Sequence, residues 1–434
     1  MTGGAAPAIS AGDTAWVLVS TALVLLMVPG LALFYGGLVR SRAVLNTFMM
    51  SLVALAVVSV QWVVGGYALA FGPGEVIGRL TWAGLAGVGA QPGPYGATIP
   101  HAAFAGFQAM FAGITVALIS GAIVERIRFH VFVVFALLWT TFIYDPLAHW
   151  VWSADGWLHA LGALDFAGGT VVHVSAGTAA LVAAITLGPR RDFGRSPLRP
   201  HNVVFTLTGA SLLWVGWIGF NAGSALAADG VAALALVNSH AAAAAAMLAW
   251  LTIEYVRGGR ATAVGAATGA VVGLVATTPA AGYVTPLAAL VIGIAGAGAS
   301  YTALQLRSRS SVDDALDVFA CHGIAGMVGA VLTGVFATTS VNAAGANGSL
   351  RLLGVQSLAV VCTVAFTAPL TYGFLATLRA FGSLRVTLAN ELSGVDASEH
   401  NEHAYDDGEM SALAGVGIGE PVVLTDRTVT SEAA

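Results

Sequence analysis

Two histidines stand in matching surroundings in a chain that has few other ionisable groups. Asp165 to Ala184 reads DFAGGTVVHVSAGTAALVAA, and Asp314 to Thr333 reads DALDVFACHGIAGMVGAVLT. Each segment has an Asp, a His eight positions later (His173 and His322), and Ala-Gly three and four positions after the His. A neutral imidazole donates at one nitrogen and accepts at the other. Two such rings side by side can share a proton and offer a hydrogen-bonded track to a small polar molecule. A zinc site would need a third ligand, and no His-Glu-x-x-His pattern occurs. Asp317 precedes His322 by five residues and falls off its helical face. Covalent catalysis would need a nucleophile paired with a base. Cys321, the neighbour of His322 in the chain, points to another face. The pattern implies no enzyme and no cofactor.

The elements that hold these histidines follow from composition. Of 434 residues, 57% are apolar and 9% are charged, against roughly 25% charged in an ordinary soluble protein. All 17 basic residues are Arg, and the net charge is −5. So few charges cannot coat a soluble surface of this size, which leaves lipid as the solvent. The same numbers exclude a typical soluble enzyme, a disordered chain and a nucleic-acid binder. Cys321 and Cys362 lie in apolar runs and read as small core residues. The first Arg is Arg40, so the first apolar run lacks the basic start of a signal peptide and reads as a span.

A helix needs about 20 mostly apolar residues to cross a bilayer. Eleven windows qualify, near 14–35, 46–71, 101–124, 129–151, 167–188, 202–226, 231–255, 261–281, 284–305, 315–338 and 353–380. The fold class is therefore an all-α integral membrane protein. With eleven spans, Arg40, Arg42, Arg126, Arg128, Arg190, Arg191, Arg195, Arg199, Arg257, Arg260, Arg307, Arg309, Arg379, Arg385 and Arg427 share one side. Only Arg79 and Arg351 lie on the other. The positive-inside rule then puts the N-terminus outside and the C-terminus in the cytoplasm. The expected organisation is an extracellular segment 1–13, a transmembrane domain 14–380 and a cytoplasmic tail 381–434. The domain divides into halves 14–188 and 202–338 and an added helix 353–380.

The histidine segments occupy the fifth and tenth spans and so enter the membrane from opposite faces. That is the mark of an inverted repeat of five plus five helices. Eight residues at about 1.5 Å each carry the chain roughly 12 Å inward, close to the midplane of a hydrocarbon core about 30 Å thick. Both histidines fall near the centre, and intramembrane polar groups tend to mark ion or proton paths. The chain has 54 Gly. A series such as Gly265, Gly269 and Gly273 reads as close helix packing. Residues 391–434 are polar and acidic, the composition of a solvated tail.

These segments resemble the ammonium transporter family (the Amt/Mep/Rh superfamily), in its bacterial Amt branch. DFAGGTVVH at 165–173 and DVFACHG at 317–323 look like its two histidine segments. PGLALFYGGLVR at 29–40, FQAMFAGIT at 107–115, ERIRF at 125–129, AHWVW at 148–152 and GWIGFNAGS at 216–224 match in order. The similarity runs from about residue 12 to about 407. It implies a homotrimer in the cell (cytoplasmic) membrane, each subunit with its own narrow pore for ammonium, ammonia or methylammonium.

By that resemblance Trp152 matches a recruiting tryptophan, with Phe111 and Ser224 as its partners and Asp165 as the nearby acid. Phe111 and Phe220 match two stacked gating rings, and His173 and His322 the twin histidines. Gln108 and Trp217 match pore-flanking positions. The chemistry agrees, because a desolvated cation is attracted to aromatic faces, indole best. Losing a proton before the histidines spares ammonium most of the penalty of entering a dry pore. Asp145, in YDPLAHW, puts a carboxylate where many relatives have a neutral residue. It reads as a hydrogen-bonding structural group or as a second acidic site. SGVDASEHNEHAY at 393–405 resembles a family tail element that packs beneath the trimer, with Val395 and Asn401 as departures. A PII-type regulatory protein is the implied cytoplasmic partner, and Arg190, Arg191, Arg195 and Arg199 are candidate contacts for an acidic surface. The competing reading is an ammonium sensor that signals through such a partner.

Overall fold

The computed structural model describes residues 8–195 and 199–405. Eleven helical stretches fill the windows read from sequence: α1 (Ala11–Leu38), α2 (Ser41–Phe71), α3 (His101–Ile123), α4 (Phe129–Ala160), α5 (Gly169–Leu187), α6 (Val203–Ala225), α7 (Gly230–Gly258), α8 (Ala263–Thr277), α9 (Pro286–Ser308), α10 (Phe319–Phe336) and α11 (Leu350–Phe381). Ten of these are long and apolar enough to cross a membrane, and α8, with 15 residues, is shorter. The apolar window 261–281 is longer than its helix because Pro279 follows Thr278. A proline supplies no N–H to continue the helical hydrogen-bond ladder. The chain instead makes turns whose Ala280 and Tyr283 N–H groups bond back to Thr277 and Ala280.

Helix starts are set by the polar residues that interrupt the apolar runs. Ser10, Asn202, Asp229, Thr262, Thr285 and Ser349 each accept a backbone N–H of the helix that follows. They satisfy donors that have no partner inside the helix. Large apolar side chains such as Leu18, Val64, Leu248 and Val361 point outward and are exposed, as expected where lipid is the solvent. The interior is built from Ala, Gly and aromatic residues. A Cβ on Gly209 of α6 would collide with the Phe34 backbone of α1, so these two helices touch backbone to backbone.

The bundle has two ends. At the N-terminal face a short antiparallel pair, β1 (Pro92–Gly93) and β2 (Gly96–Pro100), is tied to the start of α1 by a Ser10 N–H to Thr98 carbonyl bond of 2.8 Å. At the other face α12 (Leu388–Ser393) and α13 (Val395–His400) fold back on the helices. Buried Glu391 accepts the Arg191 N–H and pairs with Arg385 at 2.7 Å. Asp396 accepts the N–H groups of Leu45 and Asn46. The segment as far as residue 405 is therefore packed, whereas composition alone reads as a solvated tail. The acidic residues Asp406, Asp407, Glu409, Glu420 and Asp426 lie outside the described residues.

The arginines of this face are also not all free. Arg190 is buried and bonded to Glu125 at 2.7 Å and to Asp313 at 2.8 Å, and Arg40 holds the other side of Glu125 at 2.8 Å. Burial pushes the Glu125 carboxyl up, but Arg190 and Arg40 together outweigh it and hold it below the usual carboxylate range. Asp313 is held low in the same way, with Arg190 and then Arg126 prevailing over burial. Arg190 is thus a clamp between helix ends, and it is not available as a contact for an acidic partner.

Candidate functional site

The two histidine segments share one backbone plan. Asp165 ends the loop before α5, and its two carboxylate oxygens accept five bonds, from the N–H groups of Gly168, Gly169, Thr170 and Val171 and from the Thr170 hydroxyl. Asp314 does the same before α10, accepting from Val318 and Phe319. Three residues after each Asp the backbone turns left-handed, at Gly168 (φ 113°) and at Asp317 (φ 57°). Glycine does this freely; for Asp it is a constrained position. There Asp317 is held by Arg307 at 2.6 Å. Each helix then opens with a π-helical turn, Gly169–Val174 and Phe319–Ile324, that carries its histidine. Such single wide turns often mark functional positions.

The Ala-Gly of each repeat has a packing role. A Cβ on Gly177 would strike the backbone of Gly323, and one on Gly326 would lie 2.9 Å from the Gly169 oxygen and 3.0 Å from the His173 Cβ. Residue 169 faces 326 while 177 faces 323, so α5 and α10 pass each other in opposite senses. This close crossing brings the imidazoles together. The Nδ1 atoms are 3.4 Å apart, with ring centroids separated by 5.4 Å. The Nε2 of His173 is buried and has no partner among the described residues.

Aromatic rings continue the row from this pair. Trp217 stacks on His173 at 5.5 Å and 22°, and Phe220 follows at 5.8 Å from His173. Phe220 stacks on Phe111 at 4.3 Å and 22°. Phe111 meets the edge of Trp152 at 6.0 Å. The Trp152 indole N–H donates to the Asp165 carbonyl at 2.9 Å, which fixes the ring at the mouth of a cavity of about 420 Å³ on the N-terminal face. Asp165, Ser224 and Gln108 line that cavity. The Ser224 hydroxyl donates to the Phe220 carbonyl at 2.8 Å and keeps its lone pairs for an incoming donor. Gln108 keeps a buried amide oxygen without a partner among the described residues.

Beyond the stacked rings lies a chamber walled by Leu31, Ile114, Trp217, Phe220 and both histidines, with about 10 Å³ of room. That is about one water-sized sphere. His322 also borders a cavity of about 280 Å³ on the C-terminal face, with Asp317 and Cys321 in its wall. All nine residues singled out from sequence therefore fall in one row: cavity, stacked rings, one-molecule chamber, histidine pair, second cavity. The carboxylate of Asp165 is turned to the α5 backbone, and Asp145 lies on α4, where the Gln61 amide of α2 donates to it at 2.6 Å.

Two further residues shape the row without a role readable from sequence, although Phe107 opens the FQAMFAGIT run. Phe107 packs edge-on to Phe111 at 4.8 Å, one helical turn earlier on α3. Thr278 accepts the Trp217 indole N–H at 3.0 Å while donating to the Leu274 carbonyl. It therefore sets the ring that lies on His173. In TTPAAGY nothing distinguishes Thr278 from a neighbouring core threonine.

Comparison with known proteins agrees with this geometry. The chain matches the model of the Ammonium Transporter Family over residues 15–405. An ammonium transporter of Bacillus subtilis (strain 168) is 49% identical over 402 residues, covering 91% of this chain and 99% of that protein. Ammonium transporter Amt1 of Archaeoglobus fulgidus is 42% identical over 401 residues, covering 92% and 100%. Saccharomyces cerevisiae Mep2 superimposes with a TM-score of 0.81 at 37% identity, over 87% of this chain and 88% of that one. A structure named Sensor Amt Protein superimposes with a TM-score of 0.83 at 29% identity, over 90% and 98%. Matched along nearly its whole length, the chain belongs to the Ammonium Transporter Family.

Proposed function

We propose that the chain carries ammonium nitrogen across the cytoplasmic membrane as ammonia, after the proton is removed at the aromatic end of the row. The observation that carries this is the one-molecule chamber closed by Phe111 and Phe220 on one side and floored by paired His173 and His322 on the other. Ammonium rests in the cavity of the N-terminal face against the Trp152 and Phe111 rings, and gives a hydrogen bond to Ser224 Oγ. A dry chamber of this size penalises a bare cation far more than a neutral molecule. The proton therefore passes to solvent in the cavity before the Phe pair is passed, and the N–H bonding pair stays on the nitrogen as the lone pair of ammonia. Neutral ammonia crosses along the imidazoles, which accept from it and donate to it in turn, and they are the path for a separately relayed proton. Gln108 and Trp217 flank the route.

The reading includes eleven spans, with short α8 completed by the turns after Thr277. The N-terminus is outside and the C-terminus in the cytoplasm, consistent with fifteen arginines on one side and two on the other. It keeps residues 1–13 outside, 14–380 in the membrane as inverted halves plus α11, and 381–434 in the cytoplasm. The working unit is a homotrimer, and the packed segment 388–405 is the surface for a PII-type partner. A second reading, an ammonium sensor acting through such a partner, is favoured by the likeness to the Sensor Amt Protein. Methylammonium uptake into cells lacking other ammonium uptake separates the two. Transport predicts uptake that Phe220→Leu and His173→Ala change, whereas a pure sensor predicts binding without uptake.

A further inference from the structure

We infer that Asp229, on the rim of the cavity of the N-terminal face, is the carboxylate that draws the cation toward Trp152 and Ser224. The inference rests on the transport reading above and goes beyond it by naming a residue that sets apparent affinity. Resemblance points to Asp165 for this task, but both Asp165 oxygens are occupied by five bonds from the start of α5. A carboxylate so surrounded by donors has much of its field answered locally.

Asp229 is placed differently. It is exposed and lines the same cavity as Trp152, Phe111 and Ser224. One oxygen caps α7, accepting from the N–H groups of Val231 at 2.9 Å and Ala232 at 3.0 Å. Its other oxygen has no protein partner among the described residues. The cap fixes the side chain at the rim. The loop before it is itself anchored, since the Ala228 N–H donates to Asp13 at 2.9 Å. A fixed charge at the entrance of a concave, low-dielectric wall raises the local concentration of the opposite ion. It does so without holding the ion so tightly that release is slowed. Asp155, on the same face but absent from the cavity wall, bonds to the Gly74 N–H at 3.1 Å and serves as a comparison charge.

Asp229→Asn separates charge from structure, because Asn caps a helix about as well as Asp. Initial rates of methylammonium uptake would be measured in cells lacking other ammonium uptake, for wild type, Asp229→Asn, Asp229→Glu and Asp155→Asn, at low and high external ionic strength. The expected result is a KM about two- to threefold higher for Asp229→Asn at about 10 mM salt, with the maximal rate unchanged, and near-equality at about 1 M, where screening reaches about 3 Å. Asp229→Glu keeps the charge at the rim but not the cap, so its KM stays closer to wild type than that of Asp229→Asn, and Asp155→Asn changes it less. An unchanged KM, a KM shift that ignores salt, or an equal effect of Asp155→Asn overturns the assignment while leaving transport intact. Absence of uptake by the wild type overturns the transport reading itself.

Discussion

At the scale of single residues, the proposed route divides the row into groups that would attract a cation and groups that would conduct a neutral molecule. Trp152 belongs to the first kind, with its ring fixed by the Asp165 carbonyl. A cation–π contact contributes about 0.5–2 kcal/mol, so Trp152→Leu is expected to raise the KM for methylammonium between about twofold and thirtyfold. The maximal rate should change less, as uptake kinetics will tell. Thr278 acts at one remove. Thr278→Val keeps the shape and removes the acceptor for the Trp217 N–H, leaving a buried donor unpaired at about 1–3 kcal/mol. The expected result is a lower maximal rate with little change in KM, and rescue by Thr278→Ser. An equal loss in both parameters would make Thr278 a packing residue only. The histidines and stacked phenylalanines were legible in the sequence because the repeat and ordered motifs flag them. Thr278 was not, since its role depends on a contact 61 residues away in the chain.

At the scale of elements, the repeat is a device for crossing two helices closely. Its Asp closes the helix start, its left-handed residue turns the chain, and its Gly admits the partner backbone. Gly177→Val would force backbone against side chain where α5 meets Gly323. Overpacking of this kind costs about 1–3 kcal/mol. The histidine rings would be displaced, so flux should fall at least about tenfold in protein that still reaches the membrane. Flux at the wild-type level would show that the spacing of the pair is not critical. The Asp and the Ala-Gly were visible as sequence matches, but what they do was not. Capping by Asp165 and the left-handed turn at Asp317 are backbone facts with no compositional trace. The shortness of α8 was likewise hidden, because hydropathy measures apolar length and Pro279 decides helix length.

At the scale of the whole molecule, two kinds of force hold the bundle: small-residue packing within the apolar slab, and a buried ion network at the C-terminal face. The network makes a pH prediction. Glu125 and Asp313 titrate below their ordinary range in the folded protein. The stabilisation they give is therefore full above the ordinary carboxylate value and is lost as pH falls through the folded one. Thermal unfolding in detergent should show a drop in Tm on acidification below about pH 4. Glu125→Gln, which leaves Arg190 short of a buried partner, should already be about 3–5 kcal/mol less stable at pH 7. A variant with wild-type Tm at pH 7 would contradict the clamp. From the sequence these arginines were legible as a topological signal but not as partners, because Glu125, Arg190 and Asp313 are brought together only by folding. In the proposed mechanism the proton and the ammonia part before the histidine pair. The most direct test is the transient current after an ammonium jump in liposomes, for wild type beside His173→Ala and His322→Ala. A wild-type current at symmetric pH that the variants lose or slow at least about tenfold is expected, whereas variants with wild-type current and selectivity overturn this mechanism.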